Sequence, residues 1–277
     1  TVPKGVLTVI SGVADSGKST LLAAFTAQYP QAVVIDQRPI GTSSRSTPAT
    51  YIGVMDEIRK AFAKANGVGP QWFSFNSKGA CPICKGKGEI LPEVAFADPV
   101  AILCEECGGH RYNPTALSYT YQGKNIEEVL RLTAQEASAF FSQEKICRPL
   151  RALTEVGLGY MTLGQSTASM SGGEIQRLKL ANELQKTGSI YVLDEPAAGL
   201  HSQDVAKLME LLRNIVDRGN TVVAAEHRPE VICGADWVID MGPAGGSEGG
   251  YVLFEGAPSE LLNCTVSRTG MYLRNAQ

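Results

Sequence analysis

Apolar residues along the chain fall into short β-branched blocks separated by stretches of helical periodicity. Val6-Leu7-Thr8-Val9-Ile10-Ser11 forms the first block and stops at Gly12; the Leu- and Ala-rich segment 18–28 that follows has helical character. Ala32-Val33-Val34-Ile35 is a second buried-strand candidate. Thr47-Pro48 then opens a single helical pattern through Ile52, Met55, Ile58 and Phe62 that ends near Asn66-Gly67. From about 67 to 125, glycines, prolines and four cysteines replace the long periodic segments, so an α/β core is interrupted by a small module. Thr133-x-x-Glu136 marks a capping-box helix start. Alternation then resumes: a helix over 173–186, a strand over 189–193, a helix over 202–218 with Ser202 as N-cap, and a strand over 221–225. Two terminal strands, 237–239 and 251–254, flank a Gly-rich turn at 245–250. Strands alternating with helices predict an α/β fold with a mostly parallel sheet.

Composition narrows the class without choosing a partner. The chain has 277 residues, 44% hydrophobic and 19% charged, with a formal charge of -3. That apolar content supports a packed core, and no run of about 18 apolar residues suggests a membrane span. The near-neutral balance assigns any nucleic-acid surface to local arrangement rather than to bulk charge. The chain opens on Thr1-Val2-Pro3-Lys4-Gly5 with no visible secretory signal. Of seven cysteines only four are clustered, which argues against a disulfide framework and for a reducing cytoplasm.

Gly12-Val13-Ala14-Asp15-Ser16-Gly17-Lys18-Ser19, followed by Thr20, fits the G-x-x-x-x-G-K-S phosphate loop between a strand and a helix. Its backbone N–H groups can wrap a β-phosphate at a helix N-terminus, with Lys18 reaching the β- and γ-phosphates and the Ser19 hydroxyl ligating Mg²⁺. An ordinary glycine turn before a helix is the bland alternative. Ile190-Tyr191-Val192-Leu193-Asp194-Glu195-Pro196 runs an apolar strand into two carboxylates, Asp194 suited to the Mg²⁺ shell and Glu195 to polarising an attacking water. Alone, this is also how a strand leaves for a polar turn. Between them, Met170-Ser171-Gly172-Gly173-Glu174 precedes a helix, with Ser171 as N-cap and two glycines that let backbone approach an anion.

Cys81-Pro82-Ile83-Cys84 and Cys104-Glu105-Glu106-Cys107 are two C-x-x-C pairs with 19 residues between them. Four thiolates close a tetrahedral Zn²⁺ shell and leave no open position, which predicts a structural zinc site, with a redox pair or a reduced cluster as alternatives. His110, three residues on, is not needed as a ligand.

These motifs together resemble ABC ATPases and, in particular, the UvrA family, the DNA-damage-recognition subunit of bacterial excinuclease. The likeness to the second of UvrA's two nucleotide-binding halves runs through Ile35-Asp36-Gln37-Arg38-Pro39-Ile40-Gly41, Arg45-Ser46-Thr47-Pro48-Ala49-Thr50-Tyr51, Phe73-Ser74-Phe75-Asn76, Gly157-Leu158-Gly159-Tyr160, Ser171-Gly172-Gly173-Glu174-Ile175-Gln176-Arg177, Gly199-Leu200-His201 and Asp240-Met241-Gly242-Pro243. It implies an ABC-type P-loop ATPase core, residues 1–66 and 166–277, with an inserted signature region over 67–165 and a zinc module at 79–112. It implies ATP, Mg²⁺ and Zn²⁺ as cofactors. Gln37 would couple the γ-phosphate and Mg²⁺ to the inserted region, and His227 would be a switch histidine at the γ-phosphate; read without the likeness, His227 is a strand-end surface residue. Ser171, Gly172 and Gly173 would cap nucleotide held by an opposite half, so hydrolysis needs a second ABC half or a homodimer. Double-stranded DNA, damaged or drug-modified, is the implied partner, with Lys85, Lys87 and Arg111 as candidate phosphate contacts, although residues 71–125 hold five Lys+Arg against five Asp+Glu. A UvrA-like drug-resistance paralogue and a hydrolysis-impaired nucleotide- or DNA-binding module are the alternatives. Three departures stand out: Asp15 where the family carries Gly, Thr47 where it carries Asn, and Ala197-Ala198 where it tends to two threonines.

Overall fold

A computed structural model describes residues 1–36, 38, 40, 45–90, 101–184, 189–246 and 249–276. The chain divides into two compact units: 1–38, 155–157 and 171–277 form the first, 39–154 and 158–170 the second.

The first unit is built on a six-stranded sheet. Its strands are β1 (Leu7–Gly12), β2 (Val33–Ile35), β3 (Ile190–Asp194), β4 (Thr221–Ala225), β5 (Trp237–Gly242) and β6 (Tyr251–Gly256). Their order across the sheet is β6-β5-β1-β4-β3-β2, with every pairing parallel except the edge pair of β6 with β5. The inner strands are apolar on both faces, as a sheet covered by helices requires; β1 and β4 are buried along their whole length. Ile10, Val192, Val223, Ala225, Ile239 and Met241 form the core cluster on one face with Leu22 of helix α1 (Lys18–Gln28). The expected α/β architecture with a mostly parallel sheet is the observed one.

The second unit is held by aromatic packing. Helix α2 (Val54–Asn66) buries Val54, Met55, Ile58 and Phe62. Phe62 lies 5.1 Å from Phe73 and 5.6 Å from Tyr121, and Tyr121 stacks 5.5 Å from Phe141. This packing gives α2 to the second unit. The contacts therefore divide the chain after Arg38, whereas the change in composition falls near residue 67.

Two local expectations are corrected. The helical pattern from Thr47 is two helices, Pro48–Tyr51 and Val54–Asn66, because Gly53 takes φ 73° and breaks the first turn from the second. Ser202 is the first residue of its helix, α4 (Ser202–Asp217), with His201 in the extended N-cap position. The capping boxes at Thr133 with Glu136 and at Ser171 with Glu174 both form.

Candidate nucleotide site and metal centre

The phosphate loop leaves the buried end of β1 and enters α1 through Gly17, which caps the helix in a left-handed conformation. Gly12 has φ 139°, and a Cβ there would stand 2.4 Å from the Met241 carbonyl oxygen, so the turn closes only with glycine. Lys18 reaches back over the loop, its Nζ donating to the carbonyls of Gly12 (2.9 Å) and Val13 (2.7 Å). Its ammonium is thereby held inside the ring of backbone groups that follows the strand. Ser19 and Thr20 lie exposed on the first turn of α1, and Ser16 is fully buried within the loop.

Sheet order brings the remaining chemistry to the same edge. β4 lies between β1 and β3, so the C-terminal ends of all three strands are neighbours, with Ile10 paired to Ala225 and Ala225 to Asp194. Glu195 follows Asp194 at φ 47°, its amide bonded to the Ala225 carbonyl at 2.9 Å. His227 Nδ1 is 3.9 Å from Glu195 Oε1, with both side chains open to solvent. Burial, then the carboxylates of Glu195 and Asp36, raise the Asp194 pKa, while Lys18 opposes the rise. Carboxylates gathered at one strand edge supply the oxygen donors a hard divalent cation takes, so Asp194 suits Mg²⁺, while Ser19 stands exposed on the first turn of α1. Gln37 lies outside the described residues.

Two residues at this edge were not singled out from sequence. Glu226 is fully buried and accepts from the amides of Ala197 (2.8 Å), His227 (2.7 Å) and Arg228 (3.1 Å). One carboxylate thus fixes both the turn after Glu195 and the backbone of His227. Gln176, on the signature helix α3 (Gly172–Glu183), donates from Nε2 to the carbonyls of Asp194 (2.9 Å) and Ile35 (3.2 Å). One turn on, Lys179 donates to the Asp36 carboxylate (2.5 Å) and to the carbonyls of Asp36 (3.1 Å) and Arg38 (2.9 Å). Burial works against the Asp36 charge, but these bonds together with the Arg38 side chain hold its pKa below the ordinary carboxylate value. Asp36 and Gln176 both lie in segments that carry the family likeness, but neither received a role of its own from the sequence.

In the second unit the four cysteines converge. Their sulfurs all lie within 4.8 Å of one another and all four residues are buried. Cys81 and Cys104 are 3.9 Å apart, Cys84 and Cys107 3.6 Å. Tetrahedral Zn²⁺ with Zn–S of about 2.3 Å separates its sulfurs by about 3.8 Å, so the cluster fits that ion and is too open for disulfides. Burial pushes the Cys107 thiol up to about 12; at Cys84 it is outweighed by hydrogen bonds led by the Gly88 amide, which bring the group to about 7. His110 stands apart from the thiols, its Nδ1 3.2 Å from Glu127 Oε1, while Arg131 bonds the same carboxylate. Lys85 and Lys87 are exposed. Arg111 lies over the Phe75 ring at 5.5 Å while its carbonyl accepts from the Cys81 amide at 2.9 Å, which makes it part of the knuckle's own packing.

With this geometry in view, the family model for the ABC transporter matches residues 1–198. The chain belongs to the ABC family. Among the described residues no helix is long and apolar enough to cross a membrane. Within the family the likeness is to UvrA. The chain is 46% identical to UvrABC system protein A of Aquifex aeolicus over 99% of its own length and 33% of the relative's, and 44% identical to that of Staphylococcus aureus over 99% and 32%. The crystal structure of UvrA2 from Deinococcus radiodurans superposes with a TM-score of 0.90 at 44% identity, covering 99% of this chain and 37% of that one. The ATP-binding subunit of an ABC transporter, at 14% identity and a TM-score of 0.52, covering 100% of this chain and 90% of that one, shares the fold. The chain spans about a third of the length of the curated UvrA relatives it matches. It thus has an ABC-type ATPase fold, with a cluster of four cysteines in its second unit.

Proposed function

We propose that this chain is one nucleotide-binding half of a UvrA-like ATPase that clamps and inspects DNA in excision repair. The observation that carries the reading is the convergence of the phosphate loop, Asp194-Glu195 and His227 at the C-terminal ends of three adjacent parallel strands. In this reading the loop amides of 12–17 and Lys18 hold the phosphates, and the Lys18 contacts with Gly12 and Val13 give way to them. Ser19 and Asp194 hold Mg²⁺, which supplies charge neutralisation at the β- and γ-phosphates. Glu195 accepts the proton of the attacking water, and His227, 3.9 Å away, orients that carboxylate and faces the terminal phosphate. Gln37 couples the γ-phosphate and Mg²⁺ to the inserted region. Ser171, Gly172 and Gly173 present a capped helix N-terminus to nucleotide on a second ABC half, so turnover requires a dimer.

The cysteines hold Zn²⁺ as a structural clasp that rigidifies the turns carrying Lys85 and Lys87, which with Arg111 contact the phosphate backbone of duplex DNA. Turnover measured with DNA and at dimer-forming concentration tests the ATPase. A rate no greater than that of Lys18→Ala would defeat it and leave a nucleotide-binding module. Salt titrations on damaged and intact duplex test the inspection role: equal affinities with equal salt slopes would reduce it to plain electrostatic binding.

A further inference from the structure

Asp240, in the Asp240-Met241-Gly242-Pro243 motif, carries a carboxylate and is nevertheless 1% exposed. It stands on β5 directly opposite Ser11 of β1, and Met241 stands opposite Gly12, where the phosphate loop begins. Its two oxygens accept from two hydroxyls, Oδ1 from Ser11 Oγ at 2.7 Å and Oδ2 from Ser267 Oγ at 2.6 Å. Both serines are fully buried. A carboxylate taken out of water is tolerated only while its oxygens are bonded, so neither hydroxyl can leave without a large penalty. Asp240 therefore clamps the last residue before Gly12 to the segment at Ser267.

Ser267 is in turn the root of a helix. It precedes α5 (Arg268–Ala276); its hydroxyl oxygen accepts from the Gly270 amide at 2.7 Å and its carbonyl from the Met271 amide at 3.0 Å. The helix is closely seated, since a Cβ on Gly270 would stand 2.4 Å from the Leu261 carbonyl oxygen, and Leu273 is buried. Beside Asp240, Met241 meets the loop at its other end: its Cε lies 3.5 Å from where a Cβ on Gly17 would stand. Residues 240 and 241 thus bear on the loop both at Ser11–Gly12 and at Gly17. Phosphate held by loop amides is sensitive to small displacements of that backbone. We infer that Asp240 is a positioning residue for the phosphate loop and that Ser267 makes α5 part of what sets nucleotide affinity. This rests on the phosphate-loop reading above and adds a remote support to it.

Calorimetric titration of the chain with ADP and tripolyphosphate, alongside urea unfolding, separates positioning from packing. Ser267→Ala removes a hydroxyl that lies outside the loop; it should weaken both ligands by roughly three- to tenfold, within the range a contiguous network carries. Leu273→Ala takes a buried side chain from the same helix and leaves both hydroxyls in place. It should lower the urea midpoint at least as far as Ser267→Ala does, yet keep both affinities within about twofold of wild type. Asp240→Asn exchanges one accepting oxygen for a donating amide and should weaken both ligands at least as much as Ser267→Ala. Combining the two should add no further loss, because the serine acts through the carboxylate. Where Asp240→Asn does not fold, the comparison of Ser267→Ala with Leu273→Ala decides alone. Wild-type affinity in Ser267→Ala with a lowered midpoint, or equal affinity losses in Ser267→Ala and Leu273→Ala, overturns the inference and leaves a packing role. So does an additive loss in the double variant. A wild type that binds neither ligand would instead strike the phosphate-loop reading, and this inference with it.

Discussion

The two compact units reach order by different means. The first buries a parallel sheet whose inner strands are apolar on both faces, so hydrophobic burial sets the strand ends near which Lys18, Asp194 and His227 stand, and bonds from Glu226 and Gln176 fix the backbone there. The cysteine module of the second has strands of two residues each, Glu89–Ile90 and Ile102–Leu103, and leaves Ile83, Ile102 and Leu103 exposed. So small an apolar content cannot hold the turns, and in the function proposed above four thiolates around one ion take its place. The order of the sheet therefore needs no zinc, while on the proposed reading the module's order depends on it.

Metal removal is the largest perturbation that separates them. Structural zinc contributes on the order of 10 kcal/mol to folding of small modules. Chelation, or Cys104→Ala, should abolish amide-exchange protection over 80–90 and 101–112 and leave β1, β3 and β4 protected. Loss of protection in both units together would erase the distinction. Next in size is Glu195→Gln, which should lower turnover about 10²- to 10³-fold while nucleotide affinity stays within a few-fold, since a general base acts on the chemical step. Single-turnover hydrolysis alongside equilibrium binding checks this; parallel loss of both would reassign Glu195 to binding.

A smaller effect falls on stability. Lys179→Ala leaves Asp36 charged and partly buried, and should cost about 2 kcal/mol in urea unfolding at pH 7. Because the pKa of Asp36 is lowered in the folded state, that contribution is present above the unfolded carboxylate value and fades as pH falls through the folded one. A penalty of the same size at pH 3 would remove the ion pair from the account. Smallest is Asp194→Asn, where the folded pKa is raised: the charged form is disfavoured in the fold, so at pH 7 the variant should gain about 0.5 kcal/mol after solvent screening. The gain should vanish below the ordinary aspartate range of about 4. A variant less stable than wild type at pH 7 would contradict it.

Much of this was legible in sequence because it is local. The phosphate loop, the acid pair after a strand, the C-x-x-C pairs and the Ser171 capping box each lie within a few residues and carry their chemistry in their spacing. Glu226 and Gln176 escaped because their partners are distant in sequence: Glu226 meets Ala197, and Gln176 meets Ile35, 141 residues away. Gly53 escaped because an apolar period continues across it, while only the backbone registers the break. The seam after Arg38 was hidden for a similar reason. Composition changes where cysteines begin, but packing changes where Phe62 finds Phe73 and Tyr121.

Gln176 and Lys179 occupy one side of the signature helix and fasten it to the ends of both β2 and β3. A helix pinned at two points a turn apart cannot roll about its own axis independently of those strands. Its orientation is inherited from the sheet, as a pointer's is from the plate to which it is riveted. Whatever shifts Ile35–Asp36 against Asp194 swings Ser171 and the two glycines after it, so the surface they would offer to the proposed second half becomes a gauge of this chain's own strand ends.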